Sequence, residues 1–289
     1  MNSPMSTLSE PAADASRRLD HPAASAKNAK VEIVVMSIPT ATGRRLCIEA
    51  MFEGTGLRWS YFDSHTSLKH PGLRYDLAEI KQHFGRTLSP PEIAVCSSHV
   101  AILSEFLARG TAEYILVLED DVIFDTDFPL DAFATFCAEN GMDYVRLFGK
   151  HYATAVRLGF FFDRSIVRYT TSPAGAQAYL MSRAGARKFL DSYPSITATV
   201  DLAMDAFWTT GLPIYSIFPY PIIERYSPTS IPMPAYVKEL NGTENLTWQS
   251  NRIMTKARKI MANSRLGKID RQMMQRSWRF EQISDNKGT

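Results

Sequence analysis

The sequence predicts an α/β protein whose mostly parallel central sheet is flanked by helices. Short apolar runs rich in β-branched residues alternate with stretches at helical spacing, which is typical of this class. One of those runs, YILVL, ends abruptly in three acidic residues, as expected at the ligand-binding edge of such a sheet. Of the 289 residues, 45% are hydrophobic and 11% are aromatic. This content is enough for one large domain with tails.

Each element follows from its local pattern. Strands are predicted at residues 31–37, 57–64, 114–118, 144–148, 176–181 and 214–219. Helices are predicted at residues 44–54, 76–83, 89–109, 131–140, 182–192 and 202–210. The third helix has the clearest start, because Ser89 can cap it and Glu92 stands at its third position. Ser182 can cap the fifth helix in the same way.

Composition divides the chain into three parts. Residues 1–30 are polar with scattered charges and are predicted to be a disordered leader, residues 31–246 a folded domain, and residues 247–289 a basic helical tail. Residues 251–280 hold nine Lys or Arg and one Asp, for a net charge of +8, so the remainder of the chain carries −6. Apolar residues recur there every three to four positions. Two interpretations stay open: an amphipathic helix on an anionic membrane surface, or a helix packed on the domain.

The expected compartment is the cytoplasm, with peripheral attachment to the inner face of the membrane if the tail binds lipid. The three cysteines, an odd and sparse set, do not predict a disulfide framework. We find no secretory signal peptide and no run of about 18 apolar residues. No DNA- or RNA-binding module is recognisable, so nucleic acid is not an expected partner.

The acidic strand end predicts a divalent cation. Strand side chains alternate between faces, so Glu119 and Asp121 point together while Asp120 points away. Carboxylate oxygens suit Mn²⁺ or Mg²⁺. A solvated acidic turn that binds nothing is the simpler alternative. An EF-hand is excluded because Pro129 follows where its loop would continue, and a haloacid-dehalogenase-type phosphatase is a weaker alternative for the same reason.

Five motifs occur in an order that resembles glycosyltransferase family 25, which includes bacterial lipooligosaccharide galactosyltransferases. They are PPEIAVCSSHVAIL, YILVLEDDVIF, YVRLFGK, AGAQAYLMSRAGARKFL and VDLAMDAFW, and the resemblance covers roughly residues 31–225. The opening VEIVVMSIPTATGRRLCIEAMF is also similar. The chain departs from the family where Ala94 and Val95 replace the usual Gly and Cys, and where Ser37-Ile38 replaces Asn-Leu.

The resemblance implies a GT-A-like, Rossmann-type catalytic domain over residues 31–246. It implies inverting transfer of a hexose, with galactose favoured, from a UDP-sugar to a lipid-linked glycan acceptor of the lipopolysaccharide or lipooligosaccharide type. The triplet from Glu119 to Asp121 becomes the DxD-like element, with Asp121 as the main metal ligand and Glu119 as its companion. A sugar- or nucleotide-binding homologue without turnover is the alternative.

Single displacement with inversion needs a general base on the acceptor side. Asp201 and Asp205 lie one helical turn apart, and so on one helix face. Asp201 matches the family's Asp and is the predicted base, with Asp205 in reserve. The alternative for both is an ordinary helix start, where an acid favours the positive end of the dipole.

Further residues are candidates for contact with the donor. They are Ser37, Arg44, Arg45, Glu92, His99, Asp120 and Gly175. Simpler structural roles stand beside these: a solvated helix face for the two arginines, core packing for the histidine, and a first-turn acid for the glutamate. The glycine is expected to permit close approach of its backbone to the sugar.

Overall fold

The computed structural model describes residues 29–109, 111–225 and 240–285. Its strands are β1 (Val31–Ser37), β2 (Trp59–Asp63), β3 (Tyr114–Glu119), β4 (Val122–Phe124), β5 (Tyr144–Arg146), β6 (Ala155–Phe161), β7 (Arg164–Tyr169), β8 (Ala178–Ser182), β9 (Ile214–Phe218) and β10 (Ile222–Glu224). Its helices are α1 (Thr42–Phe52), α2 (Leu77–Phe84), α3 (Pro90–Arg109), α4 (Leu130–Glu139), α5 (Arg183–Ser192), α6 (Val200–Met204), α7 (Phe207–Thr210) and α8 (Gly242–Asp285). All but the last two residues of the predicted leader lie outside the described residues.

Eight strands form one sheet in the order β2-β1-β3-β8-β5-β9-β7-β6, and β4 and β10 form a small antiparallel ribbon. The pairings give six strands running one way, with β8 and β7 running the other. The expected mostly parallel sheet is therefore confirmed, in the sense that six of its eight strands share one direction. Nothing in the sequence pattern indicated the two reversed strands. The carboxyl ends of the six co-directional strands share one edge of the sheet.

β3 lies between β1 and β8, and its apolar residues are buried on both faces. Leu116 and Leu118 belong to a core cluster that includes α4, whereas Ile115 and Val117 belong to a second cluster that includes α3. Burying such a side chain fully is worth about 1.5–3 kcal/mol relative to leaving it exposed. This double burial explains the continuous apolar run of YILVL and fixes the position of the acidic residues that follow it.

The structure corrects three sequence-based expectations. The β6–β7 hairpin and the β4–β10 ribbon were not predicted, because neither has the alternating pattern of a half-buried strand. The helix predicted at 202–210 is two short helices, α6 and α7, because the chain turns at Asp205 to bury its carboxylate. The basic tail is one continuous helix of 44 residues, beginning five residues earlier than predicted.

α8 packs on the domain against α2, α7 and β6. Arg168 of β7 donates from Nε and Nη2 to the two carboxylate oxygens of Asp270, both at 2.8 Å, and both side chains are buried. At its other end the helix places Trp248 against Gly85, where an added Cβ would lie 2.7 Å from the indole Nε1. Among the described residues, no helix combines the length and apolarity that crossing a bilayer requires.

Candidate active site

The ends of β1 and β3 lie side by side, with Met36 paired to Glu119. The Ser37 hydroxyl donates to Oδ2 of Asp120 at 2.7 Å, and Arg44 Nη1 donates to Oδ1 at 2.8 Å. Asp120 is buried; its burial raises its pKa, against the hydrogen bond from Ser37 and the charge of Arg44, which lower it. The structure thus brings three of the predicted donor-side residues together at the carboxyl edge.

Arg45, the next residue of α1, joins the ends of β1 and β2. Its Nη2 donates to the Ser37 carbonyl at 3.0 Å and to Oδ1 of Asp63 at 2.5 Å. Its guanidinium lies 4.3 Å from the centroid of the Tyr61 ring. These contacts give Arg45 a structural role at the same edge, and its contact with the diphosphate stays a prediction.

Asp121 has an unsatisfied carboxylate oxygen. Its Oδ1 is buried and has no hydrogen-bond partner among the described residues. Burial, reinforced by the charges of Glu119, Asp120 and Glu224, raises the pKa of Asp121 to about 7. Glu224 comes from β10, where it pairs with Val122 of β4. A buried, unpaired oxygen among carboxylates is unfavourable unless a proton or a cation compensates it, so the site is suited to a cation.

A cation bound here would have only part of its coordination supplied by the protein. In the described part of the chain, no three His, Cys, Asp or Glu side chains converge closely enough to hold a metal ion by themselves. Mg²⁺ is usually held by one or two carboxylates, with waters and substrate phosphates completing its coordination. The pair of Glu119 and Asp121 fits such a site, in which the substrate supplies the remaining ligands.

His99 of α3 lies behind this edge and is fully buried. Its Nδ1 is 3.0 Å from the Tyr179 hydroxyl, and its Nε2 is 3.8 Å from Oε1 of Glu119. Nε2 has no hydrogen-bond partner within the residues that the structure describes. The imidazole is therefore packed in the core with its Nε2 near Glu119, and contact between His99 and a donor stays a prediction.

Asp201, at the start of α6, is held by the backbone of Gly175. The Gly175 N–H donates to Oδ2 of Asp201 at 2.8 Å. Gly175 has a φ of +78°, which favours glycine, and an added Cβ would lie 2.4 Å from Oε1 of Gln177. The other carboxylate oxygen of Asp201 has no hydrogen-bond partner in the described chain. One oxygen is thus fixed while the other remains able to accept a proton.

Asp205 has a different environment. It is fully buried, and it accepts hydrogen bonds from Tyr144 at 3.0 Å, Arg146 at 3.3 Å and Ser172 at 2.5 Å. Burial raises its pKa, and the charge of Arg146 acts against that effect. Both oxygens of Asp205 are therefore occupied by groups of the core.

Glu92 lies at the start of α3. It accepts from the backbone N–H of Ser89 at 2.8 Å and pairs with Arg86 at 2.6 Å. Burial raises the pKa of Glu92, but the hydrogen bonds from Arg86 and Ser89 lower it overall. Glu92 thus supplies its half of a capping box, and the Ser89 hydroxyl donates to it at 2.9 Å. Contact between Glu92 and a donor stays a prediction.

Several site residues were not singled out from the sequence. They are Tyr144, Arg146, Ser172, Gln177, Tyr179 and Glu224. One signal was available, because the cation in the middle of the apolar run YVRLF implies a buried acidic partner. Glu224 had no local signal, since it reaches the site only through the β4–β10 ribbon.

The fold and the acidic edge define an α/β protein whose strands end in acidic residues at the edge where open α/β sheets commonly bind ligands. The model of glycosyltransferase family 25 (LPS biosynthesis protein) matches residues 30–204, more than half of the chain. The chain belongs to this family and is a glycosyltransferase. This membership confirms the resemblance and sets the phosphatase alternative aside.

Two solved structures are similar in part. One is the crystal structure of A197 from STIV, with 12% identity and a TM-score of 0.39, covering 72% of this chain and 100% of that one. The other is a glycosyltransferase involved in the glycosylation of the major capsid of PBCV-1, with 14% identity and a TM-score of 0.30, covering 66% of this chain and 71% of that one. No curated protein matches the chain.

Proposed function

We propose that the protein is a metal-dependent, inverting glycosyltransferase of the GT-A type. It transfers a hexose, with galactose favoured, from a UDP-sugar to a lipid-linked glycan of the lipopolysaccharide or lipooligosaccharide type. The observation that carries the proposal is the buried, unpartnered Oδ1 of Asp121 beside Glu119 at the carboxyl edge. The sugar, the UDP moiety and the acceptor rest on the family resemblance.

Asp121 would hold Mn²⁺ or Mg²⁺, with Glu119 as a direct or water-mediated companion. When bound, such an ion supplies Lewis-acid stabilisation for the charge that develops on the leaving diphosphate. Asp120 stays fixed by Ser37 and Arg44, so the turn after β3 does not reorganise when the donor arrives. We assign Arg44, 26% exposed, to approach a diphosphate, whereas Asp120 is buried with both oxygens engaged and orders the loop.

Asp201 is the base of the proposed mechanism. Its Oδ2 is oriented by the Gly175 N–H, so Oδ1 can accept the proton of the attacking acceptor hydroxyl. Asp205 is a positioning residue, because its two oxygens hold Tyr144, Arg146 and Ser172. The buried Asp205 network therefore holds the wall of the site that carries Asp201.

The outer face of α8 supports a membrane-linked acceptor. It exposes large apolar side chains, namely Leu246, Ile253, Met254, Ile260 and Met261, each more than half exposed. Exposed cations flank them, namely Arg252, Lys256, Arg258, Arg265, Lys268 and Arg271. A second copy of this face would bring cation against cation, whereas anionic lipid complements it. We therefore extend the proposal to peripheral binding at the inner face of the cytoplasmic membrane.

The test is UDP release from a panel of UDP-sugars with Mn²⁺ and with EDTA, in the presence of an acceptor extract. Asp121→Ala is expected to reduce turnover at least about 100-fold. Asp131→Ala, which removes an exposed acid in the first turn of α4, is the matched control. Turnover that persists in EDTA contradicts metal dependence, and the absence of turnover with every donor supports the non-catalytic alternative.

A further inference from the structure

A cavity lies at the same edge of the sheet, between the segment after β4 and the β6–β7 hairpin. It has a volume of about 290 Å³ and is open to solvent. The lining residues that matter here are Asp125, Asp127, Phe128, Phe162, Asp163 and Arg164. This volume is at the small end of the range for ligand pockets, which suits a single ring-sized group.

Phe162 occupies a backbone position that glycine normally takes. Phe161 pairs with Arg164, so Phe162 and Asp163 form a two-residue hairpin loop. Phe162 has a φ of +50°, the conformation that such loops usually assign to glycine at the first position. Its ring is nevertheless 59% exposed and stands edge-on to Phe161. Residues held in such uncommon backbone conformations concentrate at binding sites.

An ion pair links the two sides of the cavity. Arg164 Nη2 donates to Oδ2 of Asp125 at 2.9 Å, which ties the hairpin to the segment after β4. The same guanidinium lies 5.2 Å from the centroid of Phe128. The wall therefore presents the exposed ring of Phe162 beside the exposed carboxylates of Asp127 and Asp163, while Phe128 is itself buried.

The charge of the lining selects its ligand. Three carboxylates and one guanidinium give a net charge of −2, which disfavours a phosphate or an acidic sugar. Carboxylate oxygens accept hydrogen bonds from hydroxyl groups, and an aromatic ring packs against an apolar face. A sugar ring without acidic groups has both features.

The cavity also lies at a suitable distance from the acidic edge. Asp125 follows Asp121 by four residues through β4, so their Cα atoms are separated by at most about 13 Å. We propose that this cavity is a subsite for an uncharged sugar residue of the acceptor glycan, away from the hydroxyl that reacts. The identification of the ligand as an acceptor rests on the proposed glycosyltransferase function.

Saturation-transfer NMR on the full chain tests this subsite, with lactose as the neutral probe and glucuronic acid as the acidic one. Wild type and Phe162→Tyr are expected to bind lactose, and Phe162→Gly to lose at least about fivefold in affinity. Phe162→Gly relieves the strained turn, so its Tm is expected to be unchanged or higher, which a merely structural ring would not give. Phe160→Ala is the matched control, since Phe160 is an exposed ring of the same hairpin outside the cavity lining.

Three results would overturn the subsite: no lactose signal from wild type, equal lactose binding by Phe162→Gly, or glucuronic acid bound as well as lactose. Equal losses in Phe160→Ala and Phe162→Gly would also overturn it. The readout uses no donor. A protein that binds lactose through Phe162 but turns over no UDP-sugar would contradict the proposed function and leave the sugar site standing.

Discussion

Arg168 and Asp270 form a buried, two-bonded ion pair across 102 residues of sequence, and this pair joins β7 to the C-terminal helix. Asn263, about two turns earlier in the helix, accepts a bond from Arg168 Nη1 at 2.9 Å and donates to the Thr170 carbonyl. The last helix is therefore integrated in the fold of the domain, whatever its outer face binds.

Removing one partner of this pair is expected to destabilise the protein strongly. Asp270→Ala leaves the Arg168 guanidinium buried and without its counter-charge. This should lower the free energy of unfolding by about 3–5 kcal/mol. Urea unfolding followed by circular dichroism measures this free energy. Lys81→Ala, which removes the partly exposed pair with Glu244, serves as the control and is expected to change the free energy of unfolding by less than about 1 kcal/mol. Equal effects of the two variants would contradict the expectation that the buried pair contributes more to stability than the partly exposed one.

The acidic edge is expected to reduce stability when no metal is present. Because the folded-state pKa of Asp121 is raised from 3.8 to about 7, its charged form is disfavoured in the native state. Stability therefore falls as pH rises from about 4 to about 7 and is flat above that. Asp121→Asn should be more stable than wild type by about 1–2 kcal/mol at pH 8 without metal, and the two should converge near pH 4. Thermal melts across pH measure this difference.

Metal binding should reverse that order. Mn²⁺ is expected to raise the Tm of wild type at pH 8 and to leave Asp121→Asn unchanged, because a ligand stabilises only the state that binds it. The same melts provide the measurement. A wild-type Tm insensitive to Mn²⁺ up to millimolar concentrations would remove the metal assignment.

Substitutions of Asp201 and Asp205 should cause different kinds of defect, one in catalysis and the other in stability. Asp201→Asn is expected to lower kcat by about 100-fold or more with an unchanged donor KM and an unchanged urea midpoint. Asp205→Asn should instead reduce stability by about 3 kcal/mol, because Arg146 loses its buried counter-charge. Steady-state kinetics and urea titrations on both variants give the comparison. A stable, inactive Asp205→Asn would transfer the role of base to Asp205.

The exposed apolar residues of α8 are expected to govern membrane binding. Ile253→Glu combined with Ile260→Glu places two acids on this face, and flotation with phosphatidylserine-containing vesicles should fall at least about tenfold. Leu77→Glu is the control, since Leu77 is an equally exposed apolar residue on α2. Binding unaffected by the double substitution would favour domain packing as the whole role of the helix.

Much of the parallel core could be predicted, because a strand buried on both faces has a distinctive composition. The boundaries of YILVL and VEIVV follow from that composition alone, and so does the meeting of their carboxyl ends. For this reason the sequence could predict that Ser37 and Asp120 lie near each other, at the ends of neighbouring strands. The pairing of Arg146 with Asp205 was not, because the two are brought together by the order of the strands, which local patterns do not encode.

The same limit applies to the β6–β7 hairpin. Its Phe162 turn lacks the Asn-Gly or Gly-rich signal by which hairpins are recognised, so the strands on either side were not predicted. Phe162, which stands where a glycine would have indicated the hairpin, is the residue proposed to contact a sugar. Local rules therefore failed at a position for which we have proposed a role in binding.

The packing of α8 on β6 has a consequence for how the tail is studied. β6 is the outermost strand of the sheet, and an uncovered edge strand invites pairing with another chain. A chain ended near residue 246 would uncover this strand and leave Arg168 unpaired at the same time. We expect such a truncated protein to aggregate, so its failure to float with vesicles would report insolubility rather than lost lipid affinity.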